Sequence, residues 1–188
     1  MRDNLKLTQE ILNCKKCELW KTRTNPVVGE GNLNAQIMFI GEAPGFNEDK
    51  QGRPFVGKAG KIFDELLSFV GLKREEIYIT NILKCRPPGN KNPTKEEIKA
   101  CTFYLDEQIR IIKPSVICCL GNFASSYILK KFGLSDKIQG ISKIHGNVFN
   151  VSTLSGKIKI IPLYHPAVAT YDIKMLGVLK KDFENLRR

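Results

Sequence analysis

Histidine is scarce in this chain, two residues among 188, and neither stands beside a cysteine. A metal site here would rest on thiols. Acidic residues are also in short supply, 19 against 30 lysines and arginines, which leaves a formal charge of +11. That excess does not determine a fold, but it favours a polyanionic partner. No apolar run approaches the ~20 residues of a membrane span, and the charged stretch 1–12 has no apolar core of signal-peptide length. The protein is therefore expected to be cytoplasmic, with no membrane partner. No linker interrupts the chain, so 1–188 reads as one domain, within the usual range of about 100–200 residues.

Cysteine, by contrast, occurs six times. In a reducing compartment these are not expected to be disulfides, so metal ligation or burial must explain them. Cys14 and Cys17 put two thiols on one turn, and Cys85 and Cys101 enclose fifteen residues with three prolines, a glycine and a helix start. Such a pattern can close around a metal, and zinc and an iron–sulfur cube are both compatible with it. Cys101 also falls on the apolar stripe of its own helix. Cys118 and Cys119 lie inside an apolar strand and read as core, where free cysteine behaves as a small hydrophobe.

The stretch 36–57, QIMFIGEAPGFNEDKQGRPFVG, is where the pattern changes from folding to chemistry. Residues 36–40 are an apolar, partly β-branched run too short for a helix, as in a buried parallel strand. Gly41-Glu42-Ala43-Pro44-Gly45 cannot continue it, because two glycines and a proline impose other backbone angles and remove a donor. Glu48, Asp49 and then Arg53-Pro54-Phe55-Val56-Gly57 follow. A loop at a strand's carboxyl end with a carboxylate, free amides and a planar ring suits a flat polar ligand.

Elsewhere, periodicity predicts a first helix over 4–13 and a second from Ala59 to Val70, stopped by Gly71. A strand is expected over 77–83, leading into a rigid loop over 84–90. Thr94 and Glu97 form a capping box for a helix that runs to Ile112. A central strand over 115–120, a helix from Asn122 to near Gly133, and a strand over 157–163 follow. An antiparallel edge strand is expected over 146–153, turning at Ser155-Gly156, and a last helix carries Leu176, Leu179, Phe183 and Leu186. This order predicts an α/β protein, a three-layer α/β/α sandwich around a mainly parallel four-stranded sheet. Ligands of such sheets sit outside the strands' carboxyl ends, which here are 41–45, 81–83, 121–122 and Tyr164-His165-Pro166. Lys15, Lys16, Lys58, Lys61, Lys84, Arg86, Lys91 and Lys95 lie close in sequence to the glycine turns and cysteines.

Taken in order, Gly41-Glu42-Ala43-Pro44-Gly45, Glu48-Asp49, Gly52-Arg53-Pro54-Phe55-Val56-Gly57, Thr80-Asn81 and His165-Pro166-Ala167 resemble the family 4, iron–sulfur, uracil-DNA glycosylases. The likeness runs from Cys14 to the last helix. It implies a [4Fe–4S] cluster on Cys14, Cys17, Cys85 and Cys101, and release of uracil from single- or double-stranded DNA by a monomer. It also implies a substrate site on Gly41, Glu42, Ala43, Glu48, Phe55, Asn81 and His165, with Glu42 and His165 catalytic. His165 would donate to uracil O2 as charge develops there. Asn81 can both donate and accept, which matches O4 and N3–H of uracil and mismatches cytosine. Phe55 offers a stacking face. Ala43 stands where another branch of the superfamily carries a water-orienting aspartate, so that task falls to the Glu42 side chain or to the backbone of residues 42–43. Glu48 is positioned to crowd C5 and exclude a thymine methyl. The Arg-rich insert of the covalently trapped branch is absent. A glycosylase acting on other deaminated bases, and a non-catalytic four-cysteine nucleic-acid-binding protein, are the alternatives. The latter leaves the glycine loop, Asn81 and His165 without a task.

Overall fold

The structure, a computed structural model, describes residues 2–153 and 156–187. In chain order the elements are α1 (Arg2–Leu12), β1 (Glu30–Gly31), β2 (Ile37–Gly41), α2 (Phe46–Gln51), α3 (Lys58–Phe69), β3 (Tyr78–Asn81), α4 (Lys95–Ile112), β4 (Val116–Leu120), α5 (Asn122–Lys131), α6 (Ile141–Ile144), β5 (Phe149–Thr153), β6 (Gly156–Leu163), α7 (Val168–Tyr171) and α8 (Met175–Phe183). The six strands form one sheet in the order β1-β3-β2-β4-β6-β5. Its four central strands are parallel, and β1 and β5 close the edges antiparallel. The expected parallel core and the β5 edge are therefore present. The turn at Ser155 lies outside the described residues.

Strand alternation divides the core into two layers. Met38, Ile40, Ile117, Cys119 and Ile160 face one side and meet Leu105, Ile109 and Ile128 of α4 and α5, with Ile11 of α1 behind. Phe39, Cys118, Leu120, Ile161 and Leu163 face the other side, against Phe63 and Leu67 of α3 and Leu179 and Phe183 of α8. Phe39 anchors that second layer, edge-on to Phe63 at 4.9 Å and stacked on Phe183 at 5.8 Å. Burying both faces is what makes these strands read as near-continuous apolar runs. Cys118 and Cys119 are wholly buried core residues, one in each layer.

Several details differ from the sequence expectation. β3 is shorter than 77–83 because the chain leaves it after Asn81, although Ile82 and Leu83 still donate to the carbonyls of Gly41 and Glu42 at 2.9 and 3.0 Å. The two-residue β1 carries no periodic signal, and residues 46–51, read as loop, form one and a half turns of helix closed by Gly52 in the left-handed region. The last helix is present as α8 with Leu186 in a following 3-10 turn, Glu184–Leu186, and the short α7 before it was not expected. The capping box forms as expected: Thr94 Oγ1 accepts from the Glu97 amide at 3.2 Å, and Glu97 accepts from the Thr94 amide at 2.8 Å. Among the described residues no helix is long and apolar enough to cross a membrane.

Candidate active site

The helix after β2 lies on one face of the sheet and the helices after β3 and β4 on the other, so the winding reverses at β2. Outside the carboxyl ends there opens a cleft of about 660 Å³, lined by Glu42, Ala43, Glu48, Phe55, Asn81 and His165 among others. Six of the seven residues expected to touch substrate therefore meet in one place, though Glu42 and His165 are 123 positions apart in sequence.

Gly41, the seventh, lies behind the wall rather than on it. It is paired in register with Asn81, and a Cβ there would collide with Asn81 Oδ1 and the Phe55 ring. Glycine at this position lets those two side chains close over the strand end. Asn81 is 2 % exposed, yet its carboxamide makes no hydrogen bond to any described residue. Its backbone carbonyl is held instead, by Lys84 Nζ at 2.7 Å. A polar side chain so placed keeps its donor and acceptor free for whatever enters the cleft.

His165 follows β6, its ring 5.5 Å from that of Phe55 and 25° from parallel. Its Nδ1 accepts from the Ala167 amide at 3.2 Å, so the ring proton is on Nε2. Burial lowers its pKa to about 4, with the Glu48 carboxylate opposing. The imidazole is neutral at ordinary pH, with one N–H to give. Burial likewise raises the pKa of Glu42, with no charged neighbour contributing. Among the described residues its carboxyl group makes no hydrogen bond or ion pair, so it can hold water.

Glu48 has a structural task that the sequence did not disclose. Its Oε1 accepts from the amides of Val56 and Gly57 at 2.9 and 2.8 Å, which fixes the Phe55 turn against α2. Its Oε2 lies where a Cβ on Gly45 would intrude. Arg74, on the turn before β3, was not anticipated at all. It donates to the carbonyls of Phe55 and Pro54 and pairs with Glu30 at 2.7 Å and Asp64 at 2.6 Å. Phe55 has φ of +51°, a conformation unfavourable for a side-chain-bearing residue, and these bonds hold it there. No motif marks Arg74, since its partners are scattered along the chain. Phe46, Asn47, Asn90, Asn92 and Tyr171 also line the cleft without having been singled out.

Of the basic residues near the turns, Lys58 and Lys91 line the cleft and are exposed. Lys84 is not at the rim: it is 1 % exposed, its pKa drawn down to about 7 by burial against the opposing effect of Cys101 and Cys85. Arg86 lies over the Phe46 ring, Lys15 over Trp20, and Lys16 over Phe103 and Tyr104.

Cys14, Cys17, Cys85 and Cys101 line a second, smaller cavity between α1 and α4. Arg23 Nη1 donates to Cys85 Sγ at 3.1 Å and the Lys84 amide to Cys101 Sγ at 3.2 Å. Burial pushes the Cys101 thiol up to about 12 and raises those of Cys85 and Cys17. Among the described residues no three His, Cys, Asp or Glu side chains are placed to share a single metal ion.

Comparison with known proteins places this geometry. The Uracil DNA glycosylase superfamily profile matches residues 28–186. The chain is 47% identical over 180 residues to a type-4 uracil-DNA glycosylase of Archaeoglobus fulgidus, covering 96% of this chain and 89% of that one. To the type-4 enzyme of Sulfurisphaera tokodaii it is 46% identical over 97% of this chain and 82% of the relative. A type-5 uracil-DNA glycosylase of Pyrobaculum aerophilum is 30% identical over 84% of this chain and 79% of its own. With the matched region running from before β1 to beyond α8 and including every residue of the cleft, the chain belongs to the uracil-DNA glycosylase superfamily, in its type-4 branch.

Proposed function

We propose that this uracil-DNA glycosylase reads a flipped-out uracil with Asn81, stacks it on Phe55, and breaks its N-glycosidic bond with help from His165 and Glu42. The observation that carries this reading is the Asn81 carboxamide, buried at the cleft wall and unpaired. A donor and an acceptor side by side fit N3–H and O4 of uracil and oppose cytosine, whose pattern there is reversed. In the reaction the bond from C1′ of the sugar to N1 of the base breaks, its electron pair going to the base. Negative charge collects on O2, where the neutral Nε2–H of His165 donates. Water held by Glu42 adds to C1′, and the proton it gives up passes by way of the Glu42 carboxylate and solvent to the departing uracil anion, leaving an abasic sugar and free uracil. Glu48 both holds the Phe55 turn and, through Oε2, stands where a thymine methyl would intrude.

Cys14, Cys17, Cys85 and Cys101 would hold a [4Fe–4S] cluster. Each thiolate of such a cube ligates a different iron, so its ligands stand farther apart than the four around one zinc at about 2.3 Å. Four cysteines lining one cavity, with no histidine or carboxylate among its lining residues, are a donor set that such a cube takes. When bound, the cluster would cross-link the chain after α1, the end of the β3 loop and the first turns of α4.

Incubation with oligonucleotides that differ only in uracil, cytosine or thymine tests the reading. Free uracil and an abasic strand are expected from the first alone. An Asn81→Ala protein that cleaves uracil DNA at the wild-type rate and discriminates against cytosine DNA as strongly as the wild type would overturn the role of Asn81.

A further inference from the structure

Lys84 is the only buried lysine or arginine among the described residues, and the mechanism above does not use it. Its Nζ donates to Thr80 Oγ1 at 2.6 Å, the Asn81 carbonyl at 2.7 Å and Gln108 Oε1 at 2.7 Å. Three N–H donors thus meet three acceptors, none of them ionised. The acceptors are themselves committed: Gln108 Nε2 donates to the Val28 carbonyl at 2.7 Å and the Tyr78 hydroxyl at 3.1 Å. Lys84 cannot turn to other partners without leaving buried polar atoms unpaired, which is costly. At its other end the residue belongs to the cysteine site. Its amide donates to Cys101 Sγ, the residue lines the thiol cavity, and Cys85 is the next residue.

We propose that Lys84 is a positioning residue, a strut that joins the cysteine site to Asn81 so that filling that site sharpens the reading of uracil against cytosine. The proposal rests on the roles given above to Asn81 and to the four cysteines. Its physical basis is the lack of any other polar anchor for the Asn81 side chain. The carboxamide has no hydrogen-bond partner among the described residues, so its aim depends on the backbone at the end of β3. That backbone is held on one side by the ladder to Gly41 and from below by Lys84. A site that discriminates by donor and acceptor position needs its groups held to about 0.5 Å. A ligand that fixes Cys85 and Cys101 also fixes the backbone from which Lys84 reaches Asn81. Coupling of this kind is reciprocal, so bound substrate should in turn steady the cysteine site.

The test measures binding to oligonucleotides carrying a non-hydrolysable 2′-fluoro uracil nucleotide or its cytosine counterpart, with protein purified without oxygen and its iron content measured. The readout is the ratio of the two affinities. A general loss of stability lowers both affinities together and leaves the ratio alone. Lys84→Met, similar in length but unable to donate, should keep its iron and lose about fivefold or more of the ratio, the lower end of ordinary coupling between sites. Iron-stripped wild type should lose a similar factor. A Lys84→Met protein with full iron and a ratio within about twofold of wild type overturns the proposal. Should that variant fail to fold or to hold iron, Thr80→Val decides, because it removes one acceptor without touching a cysteine: a narrowed ratio supports the strut and an unchanged one overturns it. A wild type that shows no preference for uracil overturns the Asn81 reading and the strut with it. Wild type without iron overturns the cluster and its coupling, whereas unchanged variants of an iron-loaded, uracil-preferring wild type overturn the strut alone.

Discussion

Arg74 donates to the carbonyl of Phe55, so the ring that floors the cleft is held from a turn nineteen positions further along the chain. The same guanidinium is neutralised by Glu30 and Asp64, and it lies 5.9 Å from the Phe63 ring on which Phe55 packs. The left-handed backbone of Phe55 is thus braced from both sides, by Arg74 at its carbonyl and by Glu48 at the amides of Val56 and Gly57.

Arg74→Met should therefore impair substrate binding more than the chemical step. Stacking of one base is worth about 1–3 kcal/mol, so KM for uracil DNA should rise about tenfold while kcat changes less. Arg74→Lys should recover little, because one ammonium cannot serve Phe55, Pro54, Glu30 and Asp64 together. Steady-state kinetics of the two variants check this, and a fall confined to kcat would contradict it.

Gly41→Ala offers a sharper steric test. The new methyl would meet both Asn81 and Phe55, and overpacking of this kind costs about 1–3 kcal/mol of stability. Uracil cleavage should fall by at least about tenfold, since both base-contacting side chains must move. Gly177→Ala is the control, for a Cβ there meets nothing within 4 Å. It lies within α8 and should leave activity unchanged while adding up to about 1 kcal/mol of stability. Melting curves and single-turnover rates compare the pair.

The cysteines separate by environment. Cys85→Ser should lose iron and the broad visible absorbance of an iron–sulfur centre and loosen residues 87–93. Cys118→Ser should keep its iron, because Cys118 packs with Phe39 and Leu163 away from the thiol cavity. Iron per chain in the two proteins checks this, and stoichiometric zinc in the wild type would contradict the cluster.

How far the sequence could be read follows from how local each signal is. The alternation of β2 and β4, the Thr94 and Glu97 box and the cysteine spacings need only neighbouring residues, and all were readable. Asn81 and His165 needed the further rule that parallel strands present their carboxyl ends together. Arg74 and Lys84 defeat such reading, because each acts through backbone carbonyls, which carry no side-chain signature. Lys84 sits in a basic, proline-rich stretch that looks solvent-exposed. It is buried because Thr80, Asn81 and Gln108 supply acceptors from two different elements. Helix α2 was missed because six polar-rich residues carry no apolar stripe.

His165 also predicts a dependence of stability on pH. Its folded pKa is about 4, against about 6.5 in an unfolded chain. Between these values the unfolded state binds a proton that the folded state does not. Its contribution is therefore fully present above about pH 6.5 and is lost as pH falls toward about 4. Glu42 and Asp182, whose carboxyl pKa values burial raises, change in the opposite sense. The difference between wild type and His165→Gln isolates the histidine: the variant's stability should fall less between pH 6.5 and 4. Denaturant melts across that range check it, and parallel curves would contradict it.

The rate effect of the same residue should be separable from binding. In the proposed mechanism the Nε2–H of His165 meets a charge that grows on uracil O2 mainly as the glycosidic bond breaks, so its contribution belongs to the transition state. One donor of this kind is worth about 2.7–4 kcal/mol, or roughly a hundred to a thousandfold in rate. His165→Ala should slow single-turnover cleavage by that factor while leaving affinity for an uncleavable uracil oligonucleotide nearly unchanged. Asn81→Ala should do the reverse in emphasis, weakening that affinity and the preference over cytosine. Since the ring of His165 also stacks beside Phe55, His165→Gln, which keeps an N–H, distinguishes loss of a donor from loss of packing. If His165→Ala cleaves within about threefold of wild type at saturating enzyme, the developing charge is met by another group, and the backbone amides of Glu42, Ala43 and Gly45 are the next to test.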